Sequence, residues 1–292
     1  MLFIYNPKSG TGRIKNHLAK IVEIFAAEEY EINIHPTQYV GDATHIVEKQ
    51  SPSYDLVVCS GGDGTLDEVV SGMMKRKKKI PIGYIPSGST NDFANSLGIP
   101  KNMVNAAIQV MHGKSFLCDI GSFDEKYFLY VAAFGIFTEV SYETDQEMKN
   151  KLGHLAYILE ATLRLPQTKF YRMKISSMEK QIEGEFLFGM ISNSNSIGGI
   201  PNLTAKQTEL NDGVFEVTLI KKPKSTLEIN RIMTALLQGD VNNEMIICFK
   251  TKEITFEAMD EVPWTLDGEF GGRKKTVTIK NLQEELELIV PE

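Results

Sequence analysis

Glycine-rich turns that carry single carboxylates are the parts of this sequence whose residue types and spacing could do chemistry. The segment Leu56–Gly72 runs from apolar residues into a turn with three glycines around Asp63. Glycine permits close backbone approaches, and the backbone N–H groups at the start of a helix form an anion site. Because a carboxylate repels phosphate, a cation must lie between Asp63 and the ligand. The segment therefore predicts a site for a magnesium-nucleotide.

A strand and a helix must hold this turn in place. Val57–Cys59 is β-branched or small and suits a buried strand. Thr65 and Glu68 have the spacing of a capping box, which predicts that the following helix begins near Thr65. The apolar positions of that helix recur at helical spacing and are Leu66, Val69 and Val70.

The composition limits the classes of protein to which this chain can belong. The 292 residues are 42% hydrophobic and 24% charged, which is typical of a globular chain with room for two domains. The chain starts with a strand-like segment, and no apolar run is long enough to span a membrane, so we expect a cytoplasmic protein without a transmembrane segment. The net charge of −7 argues against nucleic acid as a partner. Cys59, Cys118 and Cys248 are widely spaced and predict buried thiols.

Residues 1–121 alternate between strand and helix patterns. This alternation predicts an α/β domain with a parallel sheet, in which ligands bind beyond the carboxyl ends of the strands. Three polar, glycine-containing turns follow predicted strands, and we expect them to meet at that edge. The turns are 6–12, 60–65 and 86–92.

Residues 122–281 have a different pattern. Short apolar runs separated by polar turns predict a largely antiparallel β domain, including one strand over 126–134. A leucine stripe over 152–163 predicts a helix that either packs in the core or lines a lipid pocket, and 227–237 predicts another helix.

Four motifs together resemble the diacylglycerol kinase catalytic-domain family, especially the soluble enzymes of Gram-positive bacteria. They are NPKSG at 6–10, GGDGTLDEVVSG at 61–72, PSGSTNDFA at 86–94 and DGEFGG at 267–272. The resemblance implies an N-terminal ATP-binding α/β domain of the NAD-kinase type and a C-terminal β-sandwich. It also implies that residues 282–292 return to the first domain.

The implied activity is transfer of the γ-phosphate of Mg²⁺-ATP to the hydroxyl of diacylglycerol. Asp67 departs from the asparagine common in this family, which could alter nucleotide affinity. The implied ATP-binding residues are Asn6, Ser9, Gly10, Thr37, Gly61, Gly62, Asp63, Gly64, Thr65, Leu66, Asp67 and Thr90.

The family's catalytic base corresponds to Glu269, and Asp63 and Asp92 would join it in a network around magnesium. Phosphoryl transfer needs little covalent help from the protein, because it depends on positioning, charge compensation and removal of the acceptor's proton. Glycines beside Glu269 leave room for an acceptor in a cleft between the domains. Taken alone, the DGEFGG segment would be an ordinary hairpin turn.

A second, structural magnesium site is implied in the C-terminal domain. It would use the backbone carbonyls of Glu209 and Val214 and the carboxylate of Asp212, an oxygen set that suits a hard cation. An ordinary Asn–Asp–Gly turn would have the same sequence.

Several alternatives stay open at this stage. The basic run 75–79 could complement a helix dipole or attract the kinase transiently to anionic membrane lipid. The acceptor could be another lipid alcohol or NAD, and a nucleotide or lipid sensor without catalysis is also compatible with the fold. The oligomeric state is open, with a homodimer as one candidate.

Overall fold

In the computed structural model the chain separates into two compact units. Unit 1 comprises Met1–Ile120 and Gln283–Glu292, and unit 2 comprises Gly121–Leu282. The structure describes residues 1–50, 53–136, 169–193, 196–197, 200–201, 210–238 and 244–292. The predicted leucine stripe at 152–163 lies outside these ranges.

Unit 1 alternates strands and helices along the chain. Its strands pair in parallel in the order β2-β1-β3-β4, and the C-terminal end of β15 adds to β4 through the pair Leu288–Ile82. The elements are β1 (Leu2–Tyr5), α1 (Ile14–Ala27), β2 (Asn33–Pro36), α2 (Asp42–Gln50), β3 (Val57–Gly61), α3 (Asp63–Met74), β4 (Ile82–Pro86), α4 (Asp92–Ser96), α5 (Met103–His112), the start of β5 (Lys114–Phe123) and the end of β15 (Glu269–Val290).

Burial explains why these segments form a parallel sheet. Every residue of β3 and β4 is buried, as expected for central strands with helices on both faces. The sequence predicted neither α5 nor its cap, in which the Asn102 side chain accepts hydrogen bonds from the Val104 and Asn105 amides. Cys59 and Cys118 are buried, as predicted, and Cys248 is half-buried.

Unit 2 is built mainly from antiparallel strands. The order is β13-β12-β9-β7-β14-β15, with β8 pairing with both β14 and β9. The elements are β6 (Lys126–Phe128), β7 (Val131–Gly135), β8 (Tyr171–Ser177), β9 (Gln181–Ser192), β10 (Ser196–Ile197), β11 (Ile200–Pro201), β12 (Phe215–Lys221), α6 (Thr226–Gln238), β13 (Ile246–Thr251) and β14 (Glu253–Leu266). The prediction of an α/β domain followed by an antiparallel β domain is confirmed.

The core of unit 2 forms around Trp264, which is 1% exposed. Its ring makes edge contacts with three phenylalanine rings, Phe123, Phe134 and Phe256, at centroid distances of 4.9 to 5.3 Å. Such contacts add to the free energy gained by burying the apolar surface. Together they fix β14, whose end leads into the DGEFGG segment.

The prediction of a single strand over 126–134 is wrong. The chain forms β6 and β7 separately, because the backbone amides of Leu129, Tyr130 and Val131 donate to the Asp267 carboxylate. Within the described residues, no helix is both long and apolar enough to cross a bilayer.

Candidate active site

The three polar turns of unit 1 meet at one edge of the sheet, as the sequence predicted. The Asn6 amide donates to the Ser60 carbonyl at 2.8 Å. The amides of Ser87 and Gly88 both donate to the Gly61 carbonyl, at 2.8 and 3.2 Å. Each turn follows the carboxyl end of a parallel strand, so the polar groups of all three lie where such folds bind ligands.

Glycine is required where these turns touch. A Cβ atom added to Gly88 would lie 2.5 Å from the Gly62 Cα atom, and one added to Gly10 would lie 2.5 Å from the Ser87 carbonyl oxygen. Gly10 also has a φ of 55°, which disfavours other residues. The glycines of all three motifs thus allow backbone to approach backbone.

Helix α3 begins at Asp63, with Gly62 as its N-cap residue. The predicted capping box of Thr65 and Glu68 is therefore wrong. The backbone of Gly62 has the extended conformation of an N-cap residue. Asp63 then lies in the first helical turn, where the helix dipole favours an acidic residue. The Thr65 and Leu66 amides donate to the Gly62 carbonyl at 3.0 and 3.2 Å. The start of this helix is where the sequence predicts that an anion binds.

The two residues of the predicted capping box have other contacts. The Thr65 hydroxyl accepts a hydrogen bond from the Asn6 side-chain amide at 3.3 Å, which links the first two turns. The Glu68 carboxylate accepts from the amides of Gly41 and Ala43 at 2.8 and 3.1 Å. Glu68 therefore holds the chain entering α2.

Asp63 and Asp92 are brought together by a helix cap. The Asp63 carboxylate accepts from the amides of Asp92 and Phe93, at 3.1 and 3.3 Å, at the start of α4. The Asp63 and Asp92 side chains are both half-buried, and their carboxylates are oxygen donors of the kind that magnesium prefers.

Tyr84 is a member of this edge that sequence reasoning missed. Its hydroxyl donates to the Gly61 carbonyl at 3.2 Å and lies 3.4 Å from the Asn91 side-chain oxygen. Burial is the main cause that raises the pKa of Tyr84 well above 10, and the nearby Asp63 charge adds to it. The hydroxyl therefore stays protonated. In the sequence, only the strand pattern of β4 could have indicated that Tyr84 lies at this edge.

The remaining predicted nucleotide residues lie on unit 1. Ser9 is buried in the first turn, and Thr90 is half-buried in the third. Thr37 follows the edge strand β2, and its amide donates to the Tyr5 carbonyl at 2.9 Å. On α3, Asp67 is half-buried, whereas Leu66 is fully buried, so Leu66 packs the helix onto the sheet.

Glu269, the predicted base, lies in unit 2 directly after a tight turn. Asp267 and Gly268 both have positive φ, 49° and 88°, as a two-residue hairpin turn requires. The buried Asp267 carboxylate accepts from three amides at 2.6 to 3.0 Å. Glu269 itself is exposed, so a rigid turn presents a carboxylate to solvent.

The two aromatic residues around this turn differ in environment. Trp264 is in the core, whereas Phe270 is 56% exposed. A Cβ atom on Gly268, which precedes Glu269, would meet nothing within 4 Å, whereas one on Gly271 would lie 2.9 Å from the Leu266 side chain. The turn therefore offers open space next to Glu269.

The predicted structural metal site is described only in part, because Glu209 lies outside the described residues. The Asp212 carboxylate accepts from the Val214 amide at 3.2 Å and from the Lys250 ammonium at 2.9 Å. Lys250 also lies 3.0 Å from the buried Glu216 carboxylate. The donor types fit a hard cation, which must compete with Lys250. Among the described residues, no group of three or more His, Cys, Asp or Glu side chains has metal-site geometry.

Ion pairs engage part of the basic run at 75–79. Lys75 lies 3.9 Å from a Glu48 carboxylate oxygen, and Lys79 contacts Glu285. Lys77 and Lys78 are exposed.

Models of two domain families match the sequence. The diacylglycerol kinase catalytic domain matches residues 1–123, and the YegS C-terminal NAD kinase beta sandwich-like domain matches residues 131–290. A diacylglycerol kinase of Bacillus subtilis (strain 168) is 35% identical, covering 99% of this chain and 95% of the relative. A diacylglycerol kinase of Staphylococcus carnosus (strain TM300) is 33% identical, with 99% and 94% covered.

Solved structures agree with this likeness. A crystal structure of a diacylglycerol kinase from Bacillus anthracis str. Sterne superposes with a TM-score of 0.77 at 25% identity, covering 99% of this chain and 96% of the other. A further crystal structure from the same strain, whose description also names a diacylglycerol kinase, has a TM-score of 0.83 at 29% identity, with 99% and 94% covered.

Proposed function

The chain belongs to the diacylglycerol kinase catalytic-domain family, and from this premise we propose that it transfers the γ-phosphate of Mg²⁺-ATP to the free hydroxyl of diacylglycerol, giving phosphatidic acid. Family membership makes it an ATP-dependent lipid kinase. The observation that carries the proposal is the likeness to named diacylglycerol kinases over 99% of the chain. The meeting of three glycine-containing turns in unit 1 supports it independently.

In this proposal unit 1 binds the nucleotide. The N-terminal end of α3 and the polar groups of the other two turns bind the phosphates, while glycines let the backbone approach them. Asp63 and Asp92 would hold a magnesium ion, which would offset the phosphate charge that opposes attack by an oxygen nucleophile. The Asp92 and Phe93 amides fix the Asp63 carboxylate for this role.

Glu269 acts as the base. Its carboxylate takes the proton of the acceptor hydroxyl as that oxygen forms a bond to the γ-phosphorus atom, and the bond to the bridging oxygen of ADP breaks. The tight turn at Asp267–Gly268 holds the Glu269 backbone, and the open space at Gly268 and Gly272 leaves room for the acceptor.

The acceptor lipid resides in a membrane, so we propose a cytoplasmic enzyme that contacts the membrane surface transiently. The exposed Lys77 and Lys78 would supply attraction to anionic lipid, about 1 kcal/mol for each. Replacing both with glutamine should weaken binding to anionic vesicles and leave ATP affinity unchanged.

A homodimer is the assembly we propose, and sedimentation analysis tests it.

We also propose that unit 2 holds a structural cation at Glu209, Asp212 and Val214. Adding Mg²⁺ to the chelated protein should raise the unfolding temperature, because a ligand that binds only the folded state stabilises it. Asp212→Asn should abolish this rise, whereas Asp260→Asn, an exposed change in the same unit, should not. An unchanged rise in Asp212→Asn contradicts the assignment.

A radioactive phosphate-transfer assay tests the activity directly. Diacylglycerol should accept phosphate, whereas another lipid alcohol and NAD should not, and transfer to either would identify a different kinase. Transfer to none of them would favour a sensor. Asp63→Asn and Glu269→Gln should each lower the rate about 100-fold or more, the usual contribution of such groups. Glu257→Gln, an exposed change on β14, is the matched control.

A further inference from the structure

The loop from Thr37 to Gly41, between β2 and α2, presents two apolar side chains to solvent. Tyr39 is 61% exposed and Val40 is 94% exposed. The proposed assignment of phosphates and magnesium uses neither of them. A ring exposed to this extent beside a nucleotide edge has a face free for a ligand.

The loop backbone is nevertheless held firmly. The Asp42 carboxylate accepts from the Gln38 amide at 2.7 Å, and the Asp42 amide donates to the Tyr39 carbonyl at 3.3 Å. The Glu68 carboxylate on α3 takes the amides of Gly41 and Ala43. The helix that starts at the phosphate turn therefore also fixes the loop that carries Tyr39.

Asp42 is the residue that fixes this backbone. Its carboxylate also lies 3.1 Å from the His35 ring nitrogen. Burial opposes ionisation of Asp42, but the hydrogen bonds to the Gln38 amide and the His35 ring help to lower the pKa of this carboxyl. The backbone that carries the Tyr39 ring is thus held before any ligand arrives, which reduces the entropy lost on binding.

The position of the loop suits the far end of a nucleotide. Strand β2 forms the edge of the unit 1 sheet, and β1 separates it from β3. Two strand spacings place the end of β2 about 9–10 Å from the end of β3. Phosphates bound at the start of α3 therefore leave the base of an extended nucleotide to reach toward β2.

We propose that Tyr39 is the platform on which the adenine base of ATP stacks. This inference rests on the proposed nucleotide site. Purines have a flat π-face that stacks on aromatic side chains, and this contact uses the face of the ring. The ring, rather than the hydroxyl, makes the contact.

The experiment compares two ligands by titration calorimetry in the full chain. Tyr39→Ala should weaken binding of Mg²⁺-ATP about tenfold, the order expected for one base–aromatic contact, and leave binding of Mg²⁺-tripolyphosphate unchanged. Tyr39→Phe should bind both ligands like the wild type. Val40→Ala is the matched control, because it shortens the more exposed neighbour on the same loop.

Three results overturn the inference. Tyr39→Ala could bind ATP as tightly as the wild type. It could lose affinity for tripolyphosphate by the same factor, which would mean that the ring supports the loop. The variant could instead lose affinity for lipid vesicles alone, which would make the loop a membrane contact. Failure of the wild type to bind ATP would instead refute the proposed function itself.

Discussion

At the residue scale, environment separates the carboxylates of this chain into different roles. Asp63, Glu68 and Asp267 each accept hydrogen bonds from two or three backbone amides and are fixed by them. Glu269 is exposed at the end of a turn. A fixed carboxylate can orient a backbone or a cation, whereas an exposed one can receive a proton from a substrate.

Asp267→Ala should destabilise the protein although it removes no proposed catalytic group. Three buried amides would lose their acceptor, at about 1–3 kcal/mol for each unsatisfied group. We expect the free energy of unfolding to fall by about 3 kcal/mol or more in urea titrations. Asp260→Ala, an exposed change on β14, the strand before this turn, is the control. Equal stability of the two variants would mean that Asp267 does not hold this turn.

Glu216 should make stability depend on pH. Burial outweighs the Lys250 ammonium and raises the pKa of this carboxyl above its ordinary 4.5. The folded protein therefore binds the proton more tightly than the unfolded chain, and this group adds stability as the pH falls from above its folded pKa toward 4.5.

Glu216→Gln, which mimics the protonated carboxyl, isolates this effect. The stability of the variant relative to the wild type should be greatest at pH 7 and decline as the pH approaches 4.5, below which it becomes constant. Urea titrations in a chelating buffer at several pH values measure it. A difference that does not change with pH would contradict the assignment.

At the scale of elements, the site depends on turns packed backbone to backbone. Gly88→Ala should separate the second and third turns, because the new Cβ would lie 2.5 Å from the Gly62 Cα atom. We expect ATP affinity to fall about tenfold or more, since small displacements of binding groups are costly. Ser89→Ala, an exposed change in the same turn, should bind ATP normally. Calorimetry compares them, and equal affinities would show that this close approach is dispensable.

Local patterns predicted the elements that local forces determine. Strand β3 followed from its β-branched and small residues, and the three turns followed from glycine and polar residues after strands. The start of α3 at Asp63 could not be predicted as well, because both Gly62 and Thr65 suit an N-cap. The break between β6 and β7 depends on Asp267, more than 130 residues later, so no local pattern contained it.

At the scale of the whole molecule, the chain leaves unit 1 within β5 and returns to it at the end of β15. Residues Gln283–Glu292 belong to unit 1, where Leu288 pairs with Ile82 of β4. The Gln109 side chain donates to the Ile289 carbonyl at 3.1 Å, and the Ser115 hydroxyl donates to Glu287 at 2.6 Å. Unit 1 is therefore complete only when the last strand has been added.

Removing residues 283–292 should destabilise unit 1 far more than its length suggests. The segment buries Leu286, Leu288 and Val290, which are 0%, 2% and 6% exposed. Burial of each aliphatic side chain contributes about 1.5–3 kcal/mol, so we expect a loss of about 4 kcal/mol or more. Strand β4 would also lose a neighbour, and ATP affinity should fall because β4 leads into the third turn.

Removal of Pro291 and Glu292 alone is the matched control, because both residues follow the end of β15. Thermal unfolding and limited proteolysis of the two truncated chains measure the difference. Cleavage sites should appear within residues 1–120 of the longer truncation and stay protected in the shorter one. The same protection in both chains would mean that unit 1 folds without the returning strand.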